Sequence, residues 1–118
     1  MHPTTQRIEI YEFEKEIAAG ESWISKAFDL NYKVGYFSLQ MEISGDGNVD
    51  VSVLCSNNES DYIEFDEIAS AQDKTSGAGS DGKTFHTFKP GACASMKLKF
   101  EEKSSSDAVT VKGWLAMQ

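Results

Sequence analysis

Apolar and polar residues alternate along most of the chain, with the period of two that is typical of half-buried β-strands. From Tyr36 to Ile43, the odd positions are apolar and the even positions are mainly polar. A turn-forming segment at 44–48 follows, and Val49, Val51 and Val53 then repeat the same spacing. This pattern predicts an antiparallel hairpin with one apolar side.

A second hairpin is predicted near the C-terminus, on either side of a serine-rich turn at 104–107. Gly113 in its last strand indicates a bulge or a close packing contact, because glycine has no side chain of its own to pack. Alternation places the inward side chains of both hairpins in one core. The predicted core residues are Phe37, Leu39, Met41, Ile43, Val49, Val51, Val53, Met96, Leu98, Phe100, Val109, Val111 and Leu115.

Weaker alternation predicts further strands at Ser22–Leu30, Tyr62–Phe65 and Lys83–Phe88. Residues 9–18 fit either of two states: their apolar spacing suits a helix face, whereas their β-branched and aromatic residues favour a strand that ends at Ile17. Seven or eight short strands with little helix predict an all-β fold. We expect an antiparallel β-sandwich of the jelly-roll type, with a barrel as the alternative.

Length and composition indicate one domain over residues 1–118. The longest predicted connection is the loop at 66–82, and loops of this length are usually functional or disordered. Within it, Lys74–Gly82 consists largely of glycine, alanine and serine, which leave little to bury against a sandwich. We therefore expect this stretch to be the most mobile internal segment.

The charge balance narrows the range of partners. The chain has 19 acidic and 11 basic residues and a net charge of −8. Nucleic acid and anionic membrane surfaces attract clustered Lys and Arg, so neither is expected as a partner. The sequence contains no apolar run long enough to span a bilayer. Residues 1–7 also lack the apolar core of a secretory signal peptide.

The sequence offers little support for catalysis. Nucleophilic catalysis needs a nucleophile, a base and an orienting group within reach of one another. His86 is the one internal histidine, it lies between aromatic residues of a predicted strand, and no candidate nucleophile is placed beside it. Neighbouring carboxylates are plentiful, but in a chain this acidic they are typical of a solvated surface. We therefore predict no enzymatic activity, no catalytic residue and no cofactor.

No metal site is predicted either. Residues 46–50 match the first three ligand positions of a calcium loop, but Val51 stands where glycine is needed and Asn57 where glutamate is needed. Cys55 and Cys93 are too few for a disulfide framework. They are expected as two free thiols, with a single bridge as the alternative.

Aromatic residues give the strongest functional signal. Trp23 and Trp114 lie at polar positions of their predicted strands, and Tyr32 and Tyr36 lie where another strand begins. An outward tryptophan can stack on a sugar ring or pack against a second subunit. These four residues are the candidate binding or interface residues. The alternative for each tryptophan is that it covers an edge of the core.

Several short motifs between Ile17 and Gln118 are similar to motifs of a known group of proteins. The motifs are Ala27–Leu30, Gly35–Gln40, Ser44–Gly47, Lys74–Gly77 with Gly79–Gly82, and Val109–Val111 with Trp114–Ala116. In these the chain resembles small proteins of tailed bacteriophages and prophages. The resemblance implies a β-sandwich component of a virion, of the head-decoration or tail-associated type. It implies a location in the virion or in the bacterial cytoplasm, and it transfers no functional residue.

Together these observations predict a structural or interaction module that self-associates and also contacts other virion proteins. The C-terminal segment 108–118 carries Lys112 as its one charge and displays Trp114. Such a strand at a sheet edge would need cover, so we expect a homo-oligomer, with a trimer favoured over a dimer. The alternative function is a carbohydrate-binding module that uses exposed Trp and Tyr to hold a surface glycan.

Overall fold

The structure is a computed structural model that describes residues 8–77 and 81–118. In this part of the chain, nine strands and one short 3-10 helix form, and there is no α-helix. The strands are β1 (Glu9–Ile17), β2 (Ser22–Ile24), β3 (Phe28–Asp29), β4 (Phe37–Gly45), β5 (Val49–Ser56), β6 (Ile63–Glu67), β7 (Lys83–Phe88), β8 (Ser95–Glu102) and β9 (Val109–Met117). None of the described helices is long and apolar enough to cross a membrane.

The strands form two antiparallel sheets that pack face to face. The first sheet has the order β1-β9-β4-β7. The second sheet has the order β2-β8-β5-β6, and β3 also pairs with β8. If β2 and β3 are counted as one interrupted strand, eight strands alternate between two four-stranded sheets in jelly-roll order. The predicted all-β, jelly-roll sandwich is therefore confirmed.

The two predicted hairpins are wrong as strand pairs. β4 pairs with β7 and β9 in the first sheet, whereas β5 pairs with β6 and β8 in the second. β8 and β9 are divided between the sheets in the same way. Each turn carries the chain across the core to the opposite sheet. Alternation shows which side of a strand is buried, but two strands can present apolar sides to one core from opposite sheets.

The core lies between the sheets and is made of inward-facing side chains from both. All thirteen predicted core residues are buried, and most are completely inaccessible. Residues outside the two predicted hairpins complete the core, among them Phe13, Ile17, Phe28, Ile68, Ala71 and Met117. Full burial of an aliphatic side chain contributes about 1.5–3 kcal/mol relative to exposure, so this shared core accounts for most of the favourable energy of folding.

Residues 9–17, which fitted either a helix or a strand, form a strand, the state that their β-branched and aromatic residues favour. β1 pairs with β9 along its whole length, from Glu9 opposite Met117 to Ile17 opposite Val109. β9 therefore lies between β1 and β4, and the expectation of an uncovered C-terminal edge is wrong. The acidic residues of β1 occupy that edge instead, and charge at an edge discourages uncontrolled strand pairing.

The predicted strand at 22–30 is interrupted at residues 25–27. There the hydroxyl of Ser25 takes the place of a backbone carbonyl and accepts a hydrogen bond from the Leu98 amide. The Ser25 amide donates a hydrogen bond to the Leu98 carbonyl. The interruption shifts the alternation by one residue. As a result, Trp23 points towards the core, and Ile24 is half-exposed rather than buried.

The predicted loop at 66–82 contains more regular structure than expected. β6 extends to Glu67, and a 3-10 helix follows at Ala69–Ala71. Lys74 then exchanges two backbone hydrogen bonds with Val49. Residues 78–80, within the segment expected to be most mobile, lie outside the described residues.

Candidate functional site

The outer face of the first sheet carries the candidate site. Because strand partners lie side by side, outward residues of the four strands form transverse rows. One row contains Glu12, Trp114, Gln40 and Phe85. The row on one side of it contains Ile10, Ala116, Ser38 and Thr87. The row on the other side contains Glu14, Lys112, Glu42 and Lys83. These three rows, with Ile8, Tyr36, Lys89 and Gln118, are called the outer face below.

Large apolar side chains are concentrated on one end of the outer face. Ile8, Ile10, Tyr36 and Phe85 are each 60–65% exposed. Ile8, Tyr36 and Phe85 border a shallow groove of about 600 Å³, and small residues such as Ser38 and Ala116 also line it. Large contiguous apolar patches are uncommon on monomeric proteins, so this end of the outer face is the candidate binding surface.

Two lysines cover aromatic rings on this face. The Lys112 Nζ lies 5.4 Å from the centroid of the Trp114 ring, and the Lys89 Nζ lies 5.5 Å from that of Tyr36. Both distances are in the range of cation–π attraction. A ligand that stacks on either ring would have to displace the lysine above it.

The structure places two of the four candidate residues predicted from the sequence on the outer face and the other two elsewhere. Trp114 and Tyr36 lie on the outer face, as expected. Tyr32 is 96% exposed, but it lies in the loop between β3 and β4, away from the groove. Trp23 is partly buried and packs against the core, so its predicted outward orientation is wrong.

Trp23 instead covers an edge of the core, which was the alternative. Its ring centroid lies 5.3 Å from that of Phe13 and 5.4 Å from that of Phe100. Such offset aromatic contacts add to the energy of burial. The role of Trp23 in the structure is packing.

Sequence reasoning missed Phe85, Ile8 and Ile10. β7 has aromatic residues on both sides, Phe85 outward and Phe88 inward, so its alternation does not show which face is buried. Ile10 would share a face with Phe13 on a helix, which was the alternative for this segment, but on the strand it points to the opposite side. The register with β9 is what places Phe85 in one row with Trp114.

His86 is buried on the inner side of β7 and is structural. Its Nδ1 lies 2.8 Å from the Ser70 hydroxyl, and its Nε2 lies 2.8 Å from the Thr84 hydroxyl. Burial, together with the positive charge of Lys74, lowers the pKa of His86 below 6.5. Both ring nitrogens are therefore within hydrogen-bond distance of a hydroxyl group.

Glu102 forms a buried anionic centre at one end of the sandwich. Its two carboxylate oxygens accept hydrogen bonds of 2.8–2.9 Å from the backbone amides of Gly20, Asn48, Ser104 and Ser105. Burial alone would raise the pKa of Glu102, but the hydrogen bonds from Gly20, Ser104 and Asn48 outweigh it and lower the pKa to about 2. One side chain thus ties together three turns.

Cys55 and Cys93 are free thiols. Both line a second cavity, of about 560 Å³, beside β6. Burial and contact with Cys93 raise the pKa of Cys55 to about 12, so this thiol is protonated at neutral pH. Among the described residues, no group of three or more His, Cys, Asp or Glu side chains could hold a metal ion.

No protein-family model and no curated protein matches the chain. Solved structures of similar fold do match. A periplasmic inhibitor of g-type lysozyme from Aeromonas hydrophila has 10% identity and a TM-score of 0.53, covering 99% of this chain and 93% of its own. The CBM22-1 xylan-binding domain of Paenibacillus barcinonensis Xyn10C has 11% identity and a TM-score of 0.56, covering 93% and 81%.

A chain from infectious bursal disease virus, Gx strain, has 14% identity and a TM-score of 0.53. The match covers 94% of this protein but 32% of the viral chain. At such low identities, these similarities establish the sandwich fold. They do not distinguish a virion component from a binder of sugar or protein, because one fold hosts many functions.

Proposed function

We propose that the protein is a non-enzymatic structural module of a phage or prophage virion and that it self-associates through the outer face of the first sheet. The observation that carries this proposal is the cluster of Ile8, Ile10, Tyr36 and Phe85, each more than half exposed on one sheet face. Contact with a partner protein would remove this cluster from water. The gain is about 25 cal/mol for each Å² of apolar area buried.

The chemistry of the outer face favours a protein partner over a sugar. Aliphatic side chains such as Ile8 and Ile10 pack well against another protein but offer no flat surface to a sugar ring. Lys112 and Lys89 lie over the rings of Trp114 and Tyr36, the two aromatics best suited to stacking. A protein interface can keep such lysines in place and give them carboxylate partners.

The virion context has separate support. The protein shares its fold with a segment that makes up 32% of the infectious bursal disease virus chain, and jelly rolls are common in viral capsids. Its short motifs also resemble those of tailed-phage and prophage proteins. Genes for capsid, portal or tail proteins next to the coding sequence are the expected finding. A neighbourhood of metabolic genes would contradict the virion assignment.

Light scattering at micromolar concentration tests self-association. The parent protein is expected to be an oligomer, and Trp114→Ala and Phe85→Ala should lower its mean mass. Ile63→Ala is the matched control, because Ile63 is a similarly exposed apolar residue on β6 of the second sheet. A monomeric parent, or an equal effect of Ile63→Ala, would contradict the proposal.

A carbohydrate-binding module is the second candidate. Tyr36 lines the groove together with the polar residues Ser38, Thr87 and Gln118, and Trp114 lies in the adjoining row. Aromatic and polar groups in one groove are a combination that binds sugars, and a xylan-binding domain shares the fold. A glycan array with the parent and Tyr36→Ala separates the candidates. Specific binding that Tyr36→Ala abolishes would favour this function.

A further inference from the structure

We propose that the partner on the outer face is a second copy of the chain, related to the first by a twofold axis that runs parallel to the strands between β9 and β4. This inference rests on the self-association proposed above and specifies its geometry. The oligomer is then built from face-to-face dimers, in place of the trimer expected from the sequence.

One transverse row of the outer face carries the argument. Across the sheet it contains Glu14 on β1, Lys112 on β9, Glu42 on β4 and Lys83 on β7. The charges alternate in sign from one edge of the sheet to the other. Within the described residues, Glu14, Glu42 and Lys83 form no ion pair, and Lys112 lies over the Trp114 ring. These carboxylates and ammonium groups are therefore open to a partner.

A twofold axis parallel to the strands reverses the order of each row in the second copy. Glu14 then faces Lys83 of the second copy, and Lys112 faces Glu42 of the second copy. Symmetry repeats both contacts, which gives four pairs of opposite charge. When the order of the row is reversed, each acidic residue lies opposite a basic residue. An isologous interface requires such self-complementarity.

The other twofold arrangement does not satisfy these charges. An axis across the strands places β1 over β1 and β7 over β7 of the second copy. The outward residues of β1 are Ile10 and three glutamates, and those of β7 are Lys83, Phe85 and Thr87. Wherever such an axis lies, Glu14 meets no base and Lys83 meets no acid, and like or unpaired charges are unfavourable in an interface. The row therefore selects the axis parallel to the strands.

The same axis fixes the contacts of the neighbouring rows. Reversal places Trp114 over Gln40 and Ala116 over Ser38 of the second copy, and at the sheet edges it places Phe85 over Glu12 and Ile10 over Thr87. Two small residues opposite each other let the sheets approach near the axis. Packed sheets diverge by about 30° because each is twisted, but the long side chains of Glu14 and Lys83 can span the wider gap at the edges.

The positions of Glu14 and Lys83 make the proposal testable. They lie on opposite edge strands of one sheet, about 14 Å apart at a spacing of roughly 4.8 Å per strand. Their side chains do not meet within one chain. Any energetic coupling between them must therefore arise between two copies.

Sedimentation velocity of charge-reversal variants at low ionic strength measures this coupling. Glu14→Lys and Lys83→Glu should each weaken dimer formation by about tenfold or more, because each creates two like-charge contacts. The double variant Glu14→Lys/Lys83→Glu should return to within about twofold of the parent, since it restores both pairs with signs exchanged. Lys99→Glu and Glu64→Lys, on the second sheet, are the controls and should leave the dimer unchanged.

The outcomes separate this inference from the proposed function. A dimeric parent with recovery in the double variant supports both. A trimeric parent, or a dimer without recovery, overturns the twofold geometry but leaves self-association intact. A monomeric parent overturns both. Thermal unfolding of each variant checks that a loss of mass does not reflect misfolding, and both reversed residues are exposed.

Discussion

At the scale of single residues, the buried carboxylate of Glu102 connects three turns of the fold. A carboxylate buried without partners is strongly unfavourable, yet four backbone amides surround this one. The turn that follows β1, the turn that precedes β5 and the turn that follows β8 all donate to it. Nothing in the alternation of β8 indicates this, because two of the four donors, Gly20 and Asn48, are far from Glu102 in the sequence.

The variant Glu102→Gln should destabilise the fold by about 2–4 kcal/mol, because an amide accepts through one oxygen and leaves amides of the turns unpaired. Chemical denaturation at pH 7 measures the loss. Glu101→Gln is the matched control, since Glu101 is a solvent-accessible neighbour on the same strand. Equal stabilities for the two variants would show that the carboxylate does not hold the turns.

The pH dependence of stability provides a second test of Glu102. The folded-state pKa of about 2 lies below the ordinary value of 4.5, so the unfolded chain binds more protons between these values. The stabilising contribution is therefore complete above about pH 4.5 and is lost as the pH falls towards 2. Parent protein should lose stability over this range more steeply than Glu102→Gln. Parallel curves would contradict the depressed pKa.

One close contact leaves no room for a side chain at position 113. A Cβ atom at this position would lie 2.4 Å from the Phe13 Cζ. Gly113→Ala should therefore cost about 1–3 kcal/mol by overpacking, and combining it with Phe13→Leu should cost less than the sum of the two single changes. Gly77→Ala is the control, because a Cβ there meets only the Thr75 hydroxyl at 3.8 Å. Additive costs measured by thermal unfolding would show that the ring does not exclude a side chain.

At the scale of elements, local alternation predicts burial well and strand pairing poorly. It identified the inward residues of β4, β5, β8 and β9 because each strand has one apolar side. It could not identify their partners, since a tight turn between two such strands is compatible with a hairpin or with a crossing between sheets. The interruption at residues 25–27 similarly shifts the alternation, so that Trp23 faces the core. These three residues include no glycine or proline that would have indicated the interruption.

The same limits apply to the candidate site. Trp114 was found because its strand is long and regular, so a large residue at a polar position is conspicuous. Phe85 was missed because β7 has aromatic residues on both sides. The rows of the outer face depend on the register between strands that are distant in sequence, and alternation carries no information about that register.

Hydrogen exchange distinguishes the observed strand order from the predicted hairpins. β9 lies between two partners in the first sheet, whereas β1 and β7 are edges. Amides of β9 should therefore exchange more slowly than those of β1 and β7, because interior strands open only with larger parts of the fold. Fast exchange along β9, as expected for an edge strand, would contradict the assigned order.

At the scale of the whole molecule, the central feature is the outer face of the first sheet. The outer face of the first sheet combines exposed apolar residues with a row of alternating charge. In the proposed interface between copies, burial of the apolar residues would supply affinity, and the charges would fix orientation. The net charge of −8 opposes association in general, so specific charge pairing across the interface becomes more important.

Hydroxyl-radical footprinting at low and high protein concentration tests the central claim most directly, because it reports the exposure of individual aromatic side chains. If two copies meet on the outer face, oxidation of Tyr36, Phe85 and Trp114 should fall as the concentration rises. Oxidation of Tyr32 and Phe65, which lie elsewhere on the surface, should stay constant. Unchanged oxidation of the first three residues, or selective protection of Phe65, would contradict an interface on this face.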